Sequence, residues 1–284
     1  MSLLAQIVNG IALGAGYALL AVGWSVLLGS ARLVNFAHGQ LYMLGAFITW
    51  WGTSALGLPY FVAIPLAVAG AAILGMMMQL LMTRLTLRQD LVSLMLVTLA
   101  FGYIFTGGAS LIFGGDPQQI PSPGMEHRFI VFGAHLAYQD LVIIFCALGL
   151  YAATWWVLTK TNMGRIVRGV AEDPKLAQLY GISPAKVYIG VFVFAAASAA
   201  LAGALIAPRS PILTSIGFEE VIITFLVVVI GGIGNILGGL IAGFGLGIFT
   251  ALFGAYVSPA YSMAAAFAVL LVFLIVRPQG LKTS

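Results

Sequence analysis

Few residues in this sequence could carry out chemistry, and they are not grouped in a catalytic pattern. The 284-residue chain has three histidines, at positions 38, 127 and 135, and one cysteine, Cys146, within an apolar stretch. A metal site needs several such ligands close together, and covalent or acid–base catalysis needs a nucleophile beside a base or a pair of carboxylates. The sequence offers neither pattern. We therefore expect no metal site, no cofactor bound by this chain and no enzymatic activity of its own.

The remaining polar side chains gather in one short stretch, RLVNFAHGQ at residues 32 to 40, between two apolar runs. Burying its amides and imidazole without partners would cost a few kcal/mol each. An interrupted helix beside a polar path would satisfy them, and so would a packed cluster at the boundary between membrane and water. The candidates for lining a path are Asn35, Phe36, His38, Gly39, Gln40 and, from a later run, Thr98.

The rest of the chain is apolar enough to lie in a lipid bilayer. Apolar residues make up 62% of it, charged residues 7%, and the mean hydropathy is +1.10. Uncharged stretches of about 20 residues match the thickness of the hydrocarbon layer, and they lack the alternation of a transmembrane β-barrel. We expect an all-α, polytopic transmembrane helical bundle that forms a single domain over residues 1–284.

Nine apolar runs are visible, and not all of them need to cross. The stretch at 30 to 40 and the short run at 219 to 233 could each be a broken or re-entrant helix, so we expect eight or nine spans. Loops rich in Lys and Arg stay in the cytosol, whereas the loops at 114 to 138 and 208 to 220, with Glu219 and Glu220, are expected outside. The basic residues expected in the cytosol are Arg84, Arg88, Lys160, Arg165, Arg168, Lys175, Lys186, Arg277 and Lys282.

A glycine-rich stretch, GGIGNILGG at residues 231 to 239, is only superficially similar to a phosphate-binding loop. It lacks the Lys-Ser/Thr pair of such loops and lies between apolar runs. We interpret it as a helix break or a close helix contact, either purely structural or beside a path. Its residues of interest are Gly231, Gly232, Gly234, Asn235, Gly238 and Gly239.

The most hydrophilic segment is VAEDPKLAQLYGISPAKV, at residues 170 to 187. Asp173 and Pro174 are typical of a helix start and Gly181 of a helix end, so we expect one or two helical turns between them. Ser183 and Pro184 should then cap and start the next long helix. A helix this short is not stable alone in water, so it should dock on lipid, on the protein's own helices or, as we favour, in a groove of a separate cytosolic subunit.

Four stretches in chain order carry a family resemblance: VNFAHGQLYMLGAF (34–47), GRIVRGVAEDPKLAQLYGIS (164–183), FVFAAASAALAGAL (192–205) and VVVIGGIGNILGGLIAG (227–243). Together they resemble the permeases of the branched-chain (hydrophobic) amino acid ABC importers, in the shorter, LivH-like form. In place of the small residues usual in the importer coupling segment, this chain has Asp173-Pro174. The resemblance implies that a short cytosolic coupling helix contacts ATPase subunits through Arg165, Glu172, Asp173, Pro174, Leu176, Ala177, Leu179, Tyr180 and Gly181.

The resemblance also implies partners and a location. A bacterial inner membrane permease of this kind moves substrate by alternating access, together with a homologous second permease, two cytosolic ATPase subunits that bind ATP and magnesium, and a periplasmic substrate-binding protein. Lipid surrounds the bundle, and the basic loops reflect topology, so no nucleic acid partner is expected. The sequence leaves open the solute (a branched-chain amino acid, urea, an amide or another small molecule) and whether the pair is a homodimer or a heterodimer.

A self-contained secondary transporter or channel is the alternative from another class. Such proteins usually carry a carboxylate inside the membrane for ion coupling. Every acidic residue here is expected in or near a loop. This pattern favours the importer subunit.

Overall fold

The computed structural model describes residues 3–31, 33–88, 90–120, 124, 127–131, 133–277 and 280–281, so Arg32 and Lys282 lie outside the described residues. Its elements are α1 (Leu3–Ala31), α2 (His38–Ser54), α3 (Tyr60–Arg88), α4 (Leu91–Phe113), β1 (Arg128–Val131), β2 (Ala134–Ala137), α5 (Tyr138–Lys160), α6 (Asn162–Glu172), α7 (Pro174–Leu179), α8 (Pro184–Ile206), α9 (Ile216–Gly231), α10 (Ile236–Tyr256) and α11 (Ser262–Val276). Short 3-10 turns at Ala207–Arg209 and Pro259–Tyr261 extend α8 and precede α11.

A bundle of membrane-spanning helices is confirmed. Within the described residues, seven helical segments are long and apolar enough to cross a bilayer: α1, α3, α4, α5, α8, α10 and α11, the last counted with the 3-10 turn before it as Pro259–Val276. The helices α2 and α9, with 17 and 16 residues, are not among these seven. The count of eight or nine spans therefore depends on these two helices and stays a prediction.

One small hairpin departs from the all-α expectation. Strands β1 and β2 pair antiparallel, with Arg128 opposite Ala137. Gly133, at a φ of +85°, lies in the turn, where a residue without a Cβ is favoured. Tyr138 N donates to the carbonyl oxygen of His127 at 3.0 Å, so the hairpin leads directly into α5. These strands have only four residues each, too short to give a periodic signal in the sequence.

The loops gather at two ends of the bundle. At one, called the inner end, Leu281 N donates to Ile230 O at 3.0 Å, and a cleft brings Leu87 beside Gly181. At the other, called the outer end, Gln118 pairs with Ile212 as an isolated antiparallel bridge. The basic loops thus lie together at the inner end, which agrees with the grouping expected from their charge.

Helices α1 and α10 run antiparallel and pack so closely that their backbones are in contact. A Cβ built on Gly10 would lie 2.6 Å from the Cα of Ile248, and one on Gly14 would lie 2.7 Å from the Cα of Phe244. Small residues permit such close approach between membrane helices, where dispersion contacts replace the hydrophobic effect as the attraction. The glycines of these two helices therefore permit a long interface in which the two backbones are in contact.

Helices α2 and α9 begin inside the bundle rather than at its ends. His38 Nε2 lies 3.1 Å from the carbonyl oxygen of Leu20, near the middle of α1. A Cβ built on Gly39 would overlap the carbonyl oxygen of Gly217, the second residue of α9. The residues before each helix, 33–37 and 210–215, are not helical. The N-termini of α2 and α9 therefore meet at about half the depth of the bundle.

Candidate functional site

The inner end carries two helices, α6 and α7, joined at Asp173. This residue ends α6 and caps α7, where its Oδ1 accepts hydrogen bonds from Lys175 N at 2.8 Å and Leu176 N at 3.0 Å. Pro174 occupies the first turn of α7, and Gly181, at a φ of +77°, follows its end. The start and stop residues chosen from the sequence therefore flank a helix of six residues, Pro174–Leu179.

Two details near this segment differ from the sequence-based expectation. Ser183 precedes α8, but its side chain makes no capping hydrogen bond, so Pro184 alone marks the helix start. The second detail is α6 itself, which was not predicted. Thr161 caps it by accepting from Gly164 N at 3.2 Å, and Val170 anchors it in the core.

Some apolar side chains of α7 and of the turn after it are buried against the bundle, and others are exposed at the surface. Ala177 is buried and belongs to the same core cluster as Val170. Leu176, Leu179 and Tyr180 point outward, with 51%, 84% and 78% of their surfaces exposed. Large apolar side chains exposed close together at a polar end of a protein are what a contact surface would present, and docking of a partner on them stays a prediction. The predicted coupling residues that remain exposed are Arg165, Glu172, Asp173, Leu176, Leu179, Tyr180 and Gly181.

The mid-bundle junction of α2 and α9 contains the polar residues predicted for a path. Phe36 N donates to Thr98 Oγ1 of α4 at 3.2 Å, and Ala37 N donates to Asn35 Oδ1 at 3.0 Å. The imidazole of His38 stacks on Trp24 with their ring centres 5.9 Å apart. The structure thus brings together residues from α1, α2 and α4 that are far apart in sequence.

Several polar atoms in this cluster have no partner among the described residues. They are Nδ2 of Asn35, Nδ1 of His38 and both amide atoms of Gln40. These three side chains are at most 1% exposed. A buried polar group without a hydrogen bond costs about 1–3 kcal/mol, so this junction should hold water or a polar solute at some stage. Whether it borders a path stays a prediction.

Glu220 occupies a different place from the one expected. The sequence predicts that Glu219 and Glu220 precede a membrane span and lie in solvent at the outer side. In the structure both lie within α9, and Glu220, only one turn beyond Gly217, is half-buried whereas Glu219 is exposed. The reason is that the chain before α9 enters the bundle without being helical, which carries the start of the helix inward. A carboxylate therefore lies close to the mid-bundle junction.

The glycine-rich stretch forms the turn between α9 and α10 at the inner end. Gly232 and Gly234 have positive φ values of +92° and +78°, which L-residues with a Cβ rarely adopt. Asn235 caps α10 by accepting from Gly238 N at 3.0 Å, and its Nδ2 donates to the carbonyl oxygen of Leu281 at 2.6 Å. A Cβ on Gly231 would lie 2.6 Å from the backbone nitrogen of Gly239.

The outer end holds a polar cluster that the sequence did not reveal. Arg209 Nε donates to Asp140 Oδ1 at 2.9 Å, and Asp140 Oδ2 accepts from Ala137 N at 2.9 Å. Gln139 Nε2 donates to Tyr60 Oη at 2.7 Å. The two charged residues are 69 positions apart in sequence, so no local pattern links them. Among the described residues, no three His, Cys, Asp or Glu side chains come together as metal ligands.

Comparison with known proteins places these features in a family. The family model described as "Branched-chain amino acid transport system / permease component" matches residues 6–274. The chain is 33% identical to the high-affinity branched-chain amino acid transport system permease protein LivH of Salmonella typhimurium, over 98% of this chain and 94% of that protein. It is 30% identical to the permease protein BraD of Pseudomonas aeruginosa, over 98% of this chain and 95% of BraD.

A longer relative is also similar. The permease protein LivM of the same Salmonella strain is 28% identical to this chain, over 93% of this chain and 67% of LivM. Two permeases of one bacterium, both named for branched-chain amino acid transport, are therefore similar to the chain across most of its length.

Proposed function

Because the chain belongs to the family of permease components of branched-chain amino acid transport systems, we propose that it is the transmembrane subunit of an ABC importer in a bacterial inner membrane. Its substrate would be a branched-chain or related hydrophobic amino acid, in accord with the names of its relatives. The likeness to both LivH and LivM favours pairing with a second, homologous permease. Two cytosolic ATPase subunits would bind ATP and magnesium, and a periplasmic protein would deliver the substrate.

The observation that carries this proposal is the outward surface of α7 and its following turn. Leu179 and Tyr180 are more than three-quarters exposed at the inner end, while Ala177 holds the same segment to the core. A short helix that docks its apolar side chains in a partner's groove would gain the stability that it lacks alone. An ATPase subunit that closes on ATP would then push on α6 and α7, and through them on α5 and α8.

The mid-bundle junction is the proposed point of substrate passage. The N-termini of α2 and α9 meet there, and helix N-termini attract negative charge, as broken helices do in other transporters. The carboxylate of an amino acid would approach these N-termini and the unpaired amide nitrogens, Nδ2 of Asn35 and Nε2 of Gln40. Its ammonium group would be attracted by Glu220. The non-helical segments before α2 and α9 would complete two further crossings, which gives nine.

A secondary transporter remains the second candidate, and Glu220 favours it. Carboxylates inside a membrane bundle often couple transport to ions. The two functions differ in what drives uptake. Transport by the chain alone in liposomes under a proton or sodium gradient would support the secondary transporter and contradict the importer subunit.

The direct test of the importer subunit is partner capture. The chain is purified from its native host with its neighbours, as wild type and as Leu179→Glu, in which a charge replaces an exposed side chain without touching the core. We expect ATPase subunits to co-purify with the wild type and to be lost from the variant. Ile130→Glu, a matched change at an apolar side chain 68% exposed on β1, should leave them bound. Equal recovery of ATPase subunits with Leu179→Glu would contradict the proposed docking surface.

A further inference from the structure

A cavity of about 710 Å³ opens at the inner end between α1, the α5–α6 junction and the α9–α10 turn. It is distinct from the outward surface of α7, since none of its lining residues belongs to that helix. Trp155 and Leu158 line it from α5, Arg168 from α6, and Ser25 from α1. The cavity therefore combines an apolar wall with one positive charge and with hydroxyl groups from Ser25, Ser30 and Thr159.

The start of α10 faces this cavity. Ile236 and Leu237 are the first two residues of this 21-residue helix, and both line the cavity. Their backbone N–H groups have no acceptor in the described part of the chain, because Asn235 caps the third residue instead. Unsatisfied N–H groups and the helix dipole together make a helix N-terminus a binding site for an anion.

A second, independent feature indicates a ligand in the same place. Ser25 is fully buried, yet its Oγ has no hydrogen-bond partner among the described residues. A buried hydroxyl of this kind is costly unless a group in the cavity binds it. The hydroxyl of Ser25 could therefore form a hydrogen bond with a ligand in the cavity.

Positive charge completes the site. Arg168 forms no ion pair with any carboxylate among the described residues, so its guanidinium is available to a ligand. Lys160 Nζ lies 5.9 Å from the centre of the Trp155 ring, which places a second positive charge beside the cavity wall. An arginine with free donors binds phosphate oxygens well, and a helix N-terminus adds further donors.

We propose that this cavity binds the phosphate group of an anionic phospholipid from the leaflet at the inner end. The phosphate would accept hydrogen bonds from Arg168, from the N–H groups of Ile236 and Leu237, and from the hydroxyl of Ser25. The apolar wall formed by Trp155, Leu158 and the side chain of Leu237, which is 43% exposed, would contact the acyl chains. A soluble phosphate compound would gain nothing from that wall, which favours a lipid. This site does not depend on the proposed transport function.

The test measures bound lipid by native mass spectrometry. The full-length chain is released from vesicles of equal parts phosphatidylcholine and phosphatidylglycerol, and the bound lipids are counted. We expect the wild type to retain phosphatidylglycerol preferentially. Arg168→Gln should lower this preference about fivefold, which corresponds to the loss of one basic residue near the surface. Arg165→Gln removes an exposed charge from the same helix outside the cavity and should leave the preference unchanged.

Further arms separate the alternatives. Ser25→Ala should lower the preference for phosphatidylglycerol about threefold without changing the charge of the protein. This variant still tests the proposal if Arg168→Gln does not fold. Equal losses in Arg168→Gln and Arg165→Gln would overturn the proposal, because general surface charge would then explain the binding. Release of the lipid by inorganic phosphate would also overturn it and assign the cavity to a soluble anion. If the wild type shows no preference for phosphatidylglycerol, the proposal is also overturned.

Discussion

Gly39 of α2 and Gly217 of α9 are packed backbone to backbone, so that a Cβ added to Gly39 would overlap the carbonyl oxygen of Gly217. This contact brings two helix N-termini together in the middle of the bundle. It also fixes the depth of Asn35, His38 and Gln40 on one side and of Glu220 on the other. The proposed passage for substrate depends on this contact.

Gly39→Ala should therefore separate the two helices and destabilise the protein. Backbone atoms cannot move aside as a flexible side chain can, so we expect a loss of about 3 kcal/mol, the upper range for overpacking. The midpoint of thermal unfolding in detergent should fall accordingly. Gly107→Ala on α4, where an added Cβ meets no atom within 4 Å, is the control and should leave the midpoint unchanged or raise it slightly, because alanine favours a helix more than glycine does. A tolerated Gly39→Ala would contradict the close packing of Gly39 against Gly217.

Asp173→Lys and Gly181→Pro should uncouple uptake from ATP hydrolysis while the protein still reaches the membrane. The first removes the carboxylate that caps α7, worth about 1 kcal/mol. The second forbids the positive φ of Gly181 and removes the N–H that donates to Gln178 O at 3.0 Å. The measurement is the ratio of substrate imported to ATP hydrolysed by the reconstituted transporter.

The control for these coupling variants is Gly169→Ala, in the middle of α6, because an added Cβ there meets no atom within 4 Å. It should keep the wild-type ratio. If Asp173→Lys and Gly181→Pro also keep it, α7 does not transmit force from the ATPase subunits.

Glu220→Gln should lower uptake about tenfold, since a charge-assisted hydrogen bond to the substrate's ammonium group would be lost. Glu219→Gln changes the neighbouring, exposed carboxylate and should have little effect. Uptake of radiolabelled leucine into proteoliposomes with the assembled importer provides the measurement. Comparable uptake by both variants and the wild type would remove Glu220 from the proposed path.

Arg209→Met should destabilise the outer end by about 2 kcal/mol. It leaves Asp140, whose side chain is only 10% exposed, without its charge partner, and an uncompensated carboxylate is costly there. Partial exposure of Arg209, at 22%, keeps the loss below that of a fully buried pair. Chemical denaturation of the purified protein measures the change.

A second substitution tests the cause. Adding Asp140→Asn to Arg209→Met removes the unpaired charge and should recover part of the lost stability. Arg128→Met, at an exposed arginine of β1, is the control for loss of a positive charge alone. Equal destabilisation by Arg128→Met and Arg209→Met would contradict a specific role for the ion pair.

Local signals in the sequence were sufficient for the short inner helix. Asp173, Pro174 and Gly181 act through the backbone conformation of their own neighbourhood, so their residue types alone predicted where α7 begins and ends. Helix α6 carried a signal that was overlooked. Met163, Ile166, Val167 and Val170 recur at spacings of three and four residues, which is typical of an amphipathic helix.

The depth of Glu220 could not be predicted in this way. A pair of glutamates after a polar loop is typical of the membrane surface, and only the contact between Gly39 and Gly217 places α9 further inside. Contacts across nearly 180 residues of sequence leave no periodic pattern. The same holds for the Arg209–Asp140 pair, whose partners lie on different elements.

The antiparallel contact between α1 and α10 has a mechanical consequence. Helices whose glycines bring their backbones within van der Waals reach cannot slide past each other without a clash. We therefore expect α1 and α10 to move together as one rigid unit if this protein opens and closes. We expect bending in the two non-helical stretches ahead of α2 and α9, where no regular hydrogen-bond ladder resists rotation.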